Sequence, residues 1–301
     1  MFGSFCIFLL SLLSCVVANR VYPPTKVIQL TLGVSKAAYL PLAGNRFIKN
    51  GGIVENPTTT SPRFFLGFIP LPPKYDATQD KFACSIRGWT AKSYENKETE
   101  VLMYKNDQQK SVIFGFRGTE ALNLIDWAKN FNMIPKRSTI GKTTFCTHKG
   151  FRNRYGYIAS WFEREYQGIP TNYTILITGH SLGGAEATIA AVYAAGKLKR
   201  RPNAVVTYGS PMVGTQSFKN YYNQVVGCDR TLRITAKGDL FTVVPPAIFG
   251  YTHVCNRMEV DGKTNIQLIK SHDLYGGYDL GIRRKYPDMR EINFGCNRVL
   301  N

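Results

Sequence analysis

The stretch that decides the fold is Tyr173-Thr-Ile-Leu-Ile-Thr-Gly-His-Ser-Leu-Gly183, followed by an alanine-rich segment up to Lys199. The apolar run is typical of a strand in the middle of a parallel sheet, and the alanine-rich segment is a strong helix former. A strand, a sharp turn and a helix around Gly-x-Ser-x-Gly predict a nucleophile elbow, which lifts the Ser181 hydroxyl above the carboxyl edge of the sheet. Such a turn needs small residues on both sides, and Gly179 and Gly183 meet this need. An ordinary glycine-rich turn is the less favoured alternative.

Alternating strands and helices extend outward from this stretch in both directions. Two apolar runs separated by a polar turn, 101–104 and 111–116, predict an antiparallel hairpin. Further strands are predicted at 203–208 and 231–236, and helices at 151–166, 182–199 and 216–226. This order predicts an α/β fold with a mainly parallel central sheet and helices on both faces.

The N-terminus has the features of a targeting segment. Its apolar run, 5–17, is too short to span a bilayer comfortably and ends near the small residues Val16 and Ala18. We therefore expect a secretory signal peptide over 1–18 and a single domain over 19–301, with an extracellular location; a buried N-terminal helix is the alternative. No later segment is apolar over about 18 residues, so no transmembrane segment is predicted.

Secretion would make disulfides and glycosylation available. Five cysteines remain after the leader: Cys84, Cys146, Cys228, Cys255 and Cys296. No pair has zinc-ligand spacing, so we expect two bridges and one buried thiol, with the connectivity open. Asn172-Tyr-Thr is an N-glycosylation triplet.

The chain is strongly basic, with a formal net charge of +18. A positive surface attracts anionic lipid interfaces, acidic polysaccharides or nucleic acid. The sequence contains neither a zinc finger nor a basic run interleaved with aromatic residues, which argues against a nucleic-acid partner.

A serine hydroxyl needs a general base to remove its proton. In hydrolases with a Gly-x-Ser-x-Gly elbow the serine comes first along the chain, the acid second and the histidine third. The chain has four histidines. His148 precedes the strand of the serine, and His180 is its neighbour on a turn and points elsewhere. His272, in a polar turn after the apolar run 266–269, is preferred over His253. His253 lies in a segment that alternates like a strand, so a packed or hydrogen-bonded role is expected for it.

The carboxylate that orients the histidine must come from Asp229, Asp239 or Asp261, and Glu259 is a less favoured candidate. Asp239 follows the predicted strand 231–236 at its carboxyl end, where α/β sheets build their sites. Asp229 is at the opposite end of that strand. Asp261 lies in the sequence Val-Asp-Gly-Lys, which favours a turn. Asp239 is therefore the expected partner of the base.

The negative oxygen of a tetrahedral intermediate needs fixed donors. One is expected to be the backbone N–H of Leu182 at the start of a helix. The second is expected at the end of the strand 111–116, where Gly118 allows close approach and Thr119 offers an N–H and a hydroxyl. For Arg117 a structural ion pair is the preferred interpretation.

Taken together, these residues resemble the class 3 lipases, first known from filamentous fungi. The resemblance runs from about 101 to 275 and rests on six ordered motifs, at 116–119, 148–151, 179–185, 208–214, 238–246 and 272–275. It implies an α/β-hydrolase fold, the triad Ser181, Asp239 and His272, an oxyanion hole at Thr119 and Leu182, and no metal or cofactor. It implies a lipid ester as substrate, most simply an acylglycerol. A phospholipase, an esterase for soluble esters and a noncatalytic lipid-binding protein are the alternatives.

The resemblance also places a helical lid at 120–135, directly after Thr119. Apolar residues recur there at helical spacing, which also fits an ordinary core-packed helix. A lid would cover Ser181 in water and open in peripheral contact with a lipid interface.

Overall fold

The computed structural model describes residues 24–39, 46–49, 52–55, 63–65, 69–71, 81–82, 88–97, 99–118, 134–262, 271–292 and 294. Several features predicted from the sequence lie outside these ranges: the leader 1–18, Thr119, the lid residues 120–133, the run 266–269, Cys84 and Cys296.

In chain order the strands are β1 (Arg46–Lys49), β2 (Gly52–Glu55), β3 (Arg63–Phe65), β4 (Ile69–Leu71), β5 (Lys81–Phe82), β6 (Thr90–Asn96), β7 (Thr99–Asn106), β8 (Ser111–Phe116), β9 (Pro135–Ile140), β10 (Thr143–His148), β11 (Thr174–His180), β12 (Ala204–Tyr208), β13 (Gly214–Thr215), β14 (Thr231–Ala236), β15 (Tyr251–Thr252) and β16 (Arg257–Val260). The helices are α1 (Pro24–Ala37), α2 (Lys149–Gln167), α3 (Leu182–Gly196), α4 (Gln216–Val225) and α5 (Leu280–Lys285). Short 3₁₀ turns lie at Cys228–Arg230, Leu240–Val243 and Ala247–Phe249, and a π-helical turn at Leu274–Asp279.

The central sheet of the described residues has the spatial order β16-β14-β12-β11-β8-β7-β6-β5. The five strands from β16 to β8 are parallel, and β7, β6 and β5 continue the sheet antiparallel. The predicted hairpin and the mainly parallel sheet are thus confirmed. The parallel strands end on one edge, which is where α/β proteins assemble their sites.

Helices cover both faces of this sheet. Alternate residues of each strand face opposite sides, so Phe114 and Ile177 pack with α2 and α3, whereas Ile113 and Leu176 pack with α1. A third cluster joins α1 and α5 to β12 and β14. All residues of α3 are buried, so the helix that follows the candidate nucleophile is held rigidly against the sheet.

A second, antiparallel sheet, of order β15-β13-β10-β9, was not predicted. Its strand β9 begins with Pro135, Lys136 and Arg137 and has no apolar alternation, so the sequence gives no clear strand signal there. Strands β9 and β10 connect the predicted lid region to α2 along the chain. Its edge strand β15 follows the turns after Asp239.

One disulfide, Cys228–Cys255, lies within the described residues, with a Cα–Cα distance of 5.2 Å. It joins the turn before β14 to the turn before β16. Among the described cysteines Cys146 has a free, half-buried thiol. The expected second bridge stays a prediction, because Cys84 and Cys296 lie outside the described residues. In the part of the chain that the structure describes, no helix has the length and apolar character needed to cross a membrane.

Candidate active site

Ser181 stands on the turn between β11 and α3. Its φ is 58°, in the left-handed region that non-glycine residues rarely adopt. The turn is fixed because the Ser181 N–H donates to the Tyr208 carbonyl at 2.9 Å and the Gly184 N–H donates to the Ser181 carbonyl at 2.9 Å. A Cβ at Gly179 would overlap the Gly183 backbone. The strained backbone and the requirement for glycine are those of a nucleophile elbow, as the sequence predicted.

The elbow packs against the end of β8. A Cβ at Gly183 would overlap the Phe116 carbonyl, and a Cβ at Gly118 would lie 3.1 Å from the Ser181 Cβ. The absence of a side chain at Gly118 therefore lets the segment that follows β8 lie directly beside Ser181. Leu182 is buried and is the first residue of α3. Its N–H is therefore one of the donors at a helix start that have no acceptor within the helix.

Asp239 and His272 meet at the carboxyl end of β14. Both are buried, and His272 Nδ1 lies 2.8 Å from Asp239 Oδ2. Because the carboxylate only accepts, Nδ1 is the donor to Asp239, which leaves Nε2 as the nitrogen that can act as the base. Among the described residues no hydrogen-bond partner is found for this buried Nε2. The pair therefore has the arrangement of an oriented general base.

The carboxylate of Asp239 has further donors. Its Oδ1 accepts from the Phe241 N–H at 2.9 Å, and its Oδ2 also accepts from the Tyr278 hydroxyl. Burial, together with the negative charge of Asp239, raises the pKa of Tyr278 well above its usual value, so the phenol stays a donor. Sequence reasoning missed Tyr278, because nothing in its neighbourhood distinguishes it from other tyrosines.

Gly209, at the end of β12, makes room for this cluster. Its φ is 61°, and a Cβ there would lie 2.8 Å from the Tyr278 hydroxyl and 3.1 Å from both Asp239 Oδ2 and His272 Cε1. A side chain at this position would push apart the acid, the base and the tyrosine. In the sequence Gly209 is distinguished only as part of the motif 208–214.

The other three histidines are engaged elsewhere. His253 Nε2 donates to the Thr242 carbonyl at 2.6 Å, and burial together with the nearby Arg233 lowers its pKa to about 3. The hydrogen-bonded role expected for His253 is thus observed. His148 caps α2 by accepting from the Phe151 N–H, and the His180 ring is hydrogen-bonded at both nitrogens.

Arg117 pairs with Glu100 at 3.1 Å, as the structural interpretation of Arg117 predicted. Burial raises the pKa of Glu100 to about 7 even though Arg117 acts in the opposite direction. The pair ties the end of β8 to β7. Within the described ranges no cluster of histidine, cysteine, aspartate and glutamate side chains is arranged to hold a metal.

Residues 113–249 match the family model described as Lipase (class 3). The matched segment includes the elbow and Asp239 and ends before His272. This match agrees with the resemblance to the class 3 lipases that was drawn from the motifs.

Two curated relatives of this chain are lipases by name. A secreted mono- and diacylglycerol lipase 1 from Fusarium solani is 32% identical over 161 residues, which cover 52% of this chain and 46% of that protein. A lipase from Rhizomucor miehei is 30% identical over 190 residues, covering 59% of this chain and 48% of the relative. The chain spans about half the length of the curated relatives it matches.

Solved structures show the α/β-hydrolase fold. The native Rhizomucor miehei lipase propeptide complex matches with a TM-score of 0.51 at 24% identity, over 57% of each chain. A triacylglycerol lipase whose catalytic centre is described as a serine protease triad matches with a TM-score of 0.51 at 24% identity, over 57% of this chain and 67% of the other.

Proposed function

We propose that this chain, whose residues 113–249 match the class 3 lipase family model, is a secreted serine hydrolase of carboxylic esters that acts on lipid esters such as acylglycerols. The observation that carries the proposal is the buried His272–Asp239 pair, with its basic Nε2 available, on the sheet edge where Ser181 is raised by an elbow. A noncatalytic lipid-binding protein would have no need for a strained serine, a buried acid and an oriented imidazole together.

The proposed reaction passes through an acyl-enzyme. Ser181 Oγ attacks the ester carbonyl while His272 Nε2 takes the hydroxyl proton, and Asp239 stabilises the resulting imidazolium. The oxyanion is held by the Leu182 N–H and by Thr119. The imidazolium then protonates the leaving alcohol. Water, deprotonated by the same nitrogen, attacks the acyl-enzyme, and the imidazolium returns this proton to Ser181 Oγ as the bond to the acyl group breaks and the carboxylic acid leaves.

Exposed apolar side chains beside the site favour a lipid substrate over a soluble one. The segment after Asp239 exposes four large apolar residues: Leu240, Val243, Ile248 and Phe249. It borders the base, because the Phe241 ring lies 4.4 Å from the His272 ring, centroid to centroid. A local group of exposed apolar side chains marks a surface for lipid or protein contact.

Charge points to a lipid surface as well. Along the sequence the segment is preceded by the exposed Lys237 and followed by the exposed Arg257, which pairs with Glu259 at 3.1 Å, and the chain as a whole is strongly basic. Cations beside exposed apolar groups favour peripheral binding to anionic lipid interfaces. In this proposal the segment from 120 to the start of β9 at Pro135 is the lid that opens at such an interface.

A substrate panel tests the proposed function. The purified protein and its Ser181→Ala variant are assayed on a short p-nitrophenyl ester below and above its solubility limit, then on tri-, di- and monoacylglycerols and on phospholipids. We expect ester hydrolysis by the wild type, a rate that rises above the solubility limit, and the highest activity on acylglycerols.

Each alternative has its own outcome in this panel. Lipid binding without turnover would favour a noncatalytic protein, and a rate that saturates below the solubility limit would favour a soluble esterase. Preference for phospholipids would assign the site to a phospholipase.

A further inference from the structure

His180 immediately precedes Ser181, yet its ring points toward the base. The ring is almost completely buried and is hydrogen-bonded at both nitrogens. Nδ1 lies 2.8 Å from the Tyr39 hydroxyl, and Nε2 lies 2.8 Å from the main-chain carbonyl of His272. A single side chain thus links the end of α1 to the residue that carries the base.

The proton positions follow from the partners. A carbonyl only accepts, so His180 Nε2 carries a proton and donates a hydrogen bond to the main-chain carbonyl of His272. Burial, reinforced by the neighbouring His272, lowers the pKa of His180 well below its usual value, so the ring is neutral and has one proton. Nδ1 is therefore an acceptor for the Tyr39 hydroxyl. The donors run in one direction, from Tyr39 to His180 to His272, and bonds in such a chain polarise one another.

The ring contacts support the same role. The His180 and His272 rings lie 4.8 Å apart, centroid to centroid, so His180 contacts the base through both its backbone and its imidazole. Space for the Tyr39 hydroxyl depends on Gly118, where a Cβ would overlap that oxygen. Tyr39 follows α1, which is anchored to the segment after the base by the ion pair Lys36–Asp279 at 2.9 Å.

We propose that His180, oriented by Tyr39, is a positioning residue that holds the backbone of His272 so that its Nε2 faces the nucleophile. The inference rests on the proposed function, since it assumes that His272 is the base. It assigns a part of the active site to α1 and Tyr39, which lie outside the segment matched by the family model. His180 takes no proton from the substrate or the serine.

Three variants test the role through kcat and KM on a soluble ester. His180→Phe removes both hydrogen bonds, and we expect kcat to fall on the order of 10- to 100-fold at nearly constant KM, because small misplacements of a catalytic group cost up to about that much. His180→Gln keeps an amide N–H within reach of the His272 carbonyl, so part of the lost kcat should return. Tyr39→Phe removes one oxygen, and a smaller loss of kcat is expected.

Tyr104→Phe is the matched control, because the Tyr104 hydroxyl also donates a buried hydrogen bond, to the Phe294 carbonyl at 2.9 Å. This variant should lose stability and keep kcat. If His180→Phe does not fold, as judged by thermal unfolding, Tyr39→Phe carries the test. The positioning role is overturned if the wild type is active while Tyr39→Phe and the folded His180→Phe keep wild-type kcat, or if Gln restores nothing. A wild type without esterase activity would instead remove the proposed function itself.

Discussion

The nucleophile side and the acid–base side of the site are built in different ways. On the nucleophile side, β11, Ser181 and α3 form one continuous stretch of chain, and its shape is set by steric limits. Side chains are excluded at Gly179 and Gly183 because backbone atoms already fill the space. Such limits act locally and leave a short, recognisable pattern.

The acid–base side is assembled from separate segments by hydrogen bonds. Asp239 and Tyr278 are 39 residues apart and meet through one oxygen, while His253 holds the turn after Asp239 through the Thr242 carbonyl. Each bond depends on where another segment has been placed by the sheet. The comparison teaches that a sterically imposed site can be recognised from a pattern, whereas a hydrogen-bonded one needs the fold.

The largest effect expected on the acid–base side is the loss of the base. His272→Ala should lower kcat by about 10⁴ or more, because the serine then has no general base. His253→Ala removes only a bond to the Thr242 carbonyl and should retain activity within about 10-fold, since a bond of this kind contributes about 1 kcal/mol. Steady-state kinetics on a soluble ester compares the two variants.

The reverse result would be decisive. If His253→Ala were the inactive enzyme and His272→Ala the active one, the assignment of the base would be wrong. Circular dichroism on both variants controls for loss of fold.

On the nucleophile side, Gly183→Ala should have a large effect on stability. The new methyl group would overlap the Phe116 carbonyl, which is backbone and cannot move aside cheaply. We expect the free energy of unfolding to fall by about 3 kcal/mol, with loss of activity.

Gly156→Ala is the matched control for this change. Gly156 lies exposed in α2, and a Cβ there meets only the Arg152 side chain at 3.5 Å. Alanine favours the helix by about 1 kcal/mol, so the free energy of unfolding should rise. Equal stability changes of the two variants in urea unfolding would show that the elbow is not sterically closed.

Features set by local steric limits were predicted from the sequence more completely than features set by hydrogen bonds between distant segments. The elbow, the hairpin of β7 and β8, and the helical stripe of α2 each depend on local spacing, and each was found. Asp239 and His272 were selected by chain order and strand position, and they lie in contact. Tyr278, Gly209 and the ring contacts of His180 depend on distances between segments, for which a single sequence offers no periodic signal. The second sheet was missed because β9 is mostly polar and because β13 and β15 have only two residues each.

The smallest effect concerns acid stability on the acid–base side. His253 has a pKa of about 3 in the folded protein and about 6.5 when unfolded. Between these values only the unfolded chain binds the proton, so the free energy of unfolding falls as the pH drops below about 6.5. The contribution is at most about 1.4 kcal/mol per pH unit, and less here because the ring is only partly buried.

His253→Gln removes this titration. Urea unfolding between pH 4.5 and 8 should show that the wild type loses more stability on acidification than the variant, while carboxylates common to both cancel in the difference. Parallel stability curves for the two proteins would mean that folding does not lower the pKa of His253.

The central claim is that Ser181 is the nucleophile of an ester hydrolase, and covalent labelling tests it most directly. The protein is treated with a p-nitrophenyl alkylphosphonate, which phosphonylates an activated serine and releases one equivalent of p-nitrophenolate, and the modified peptide is then identified by mass spectrometry. We predict stoichiometric modification at Ser181, none in Ser181→Ala, and strongly slowed labelling in His272→Ala. Modification at another residue, or none in a folded wild-type protein, would contradict the account.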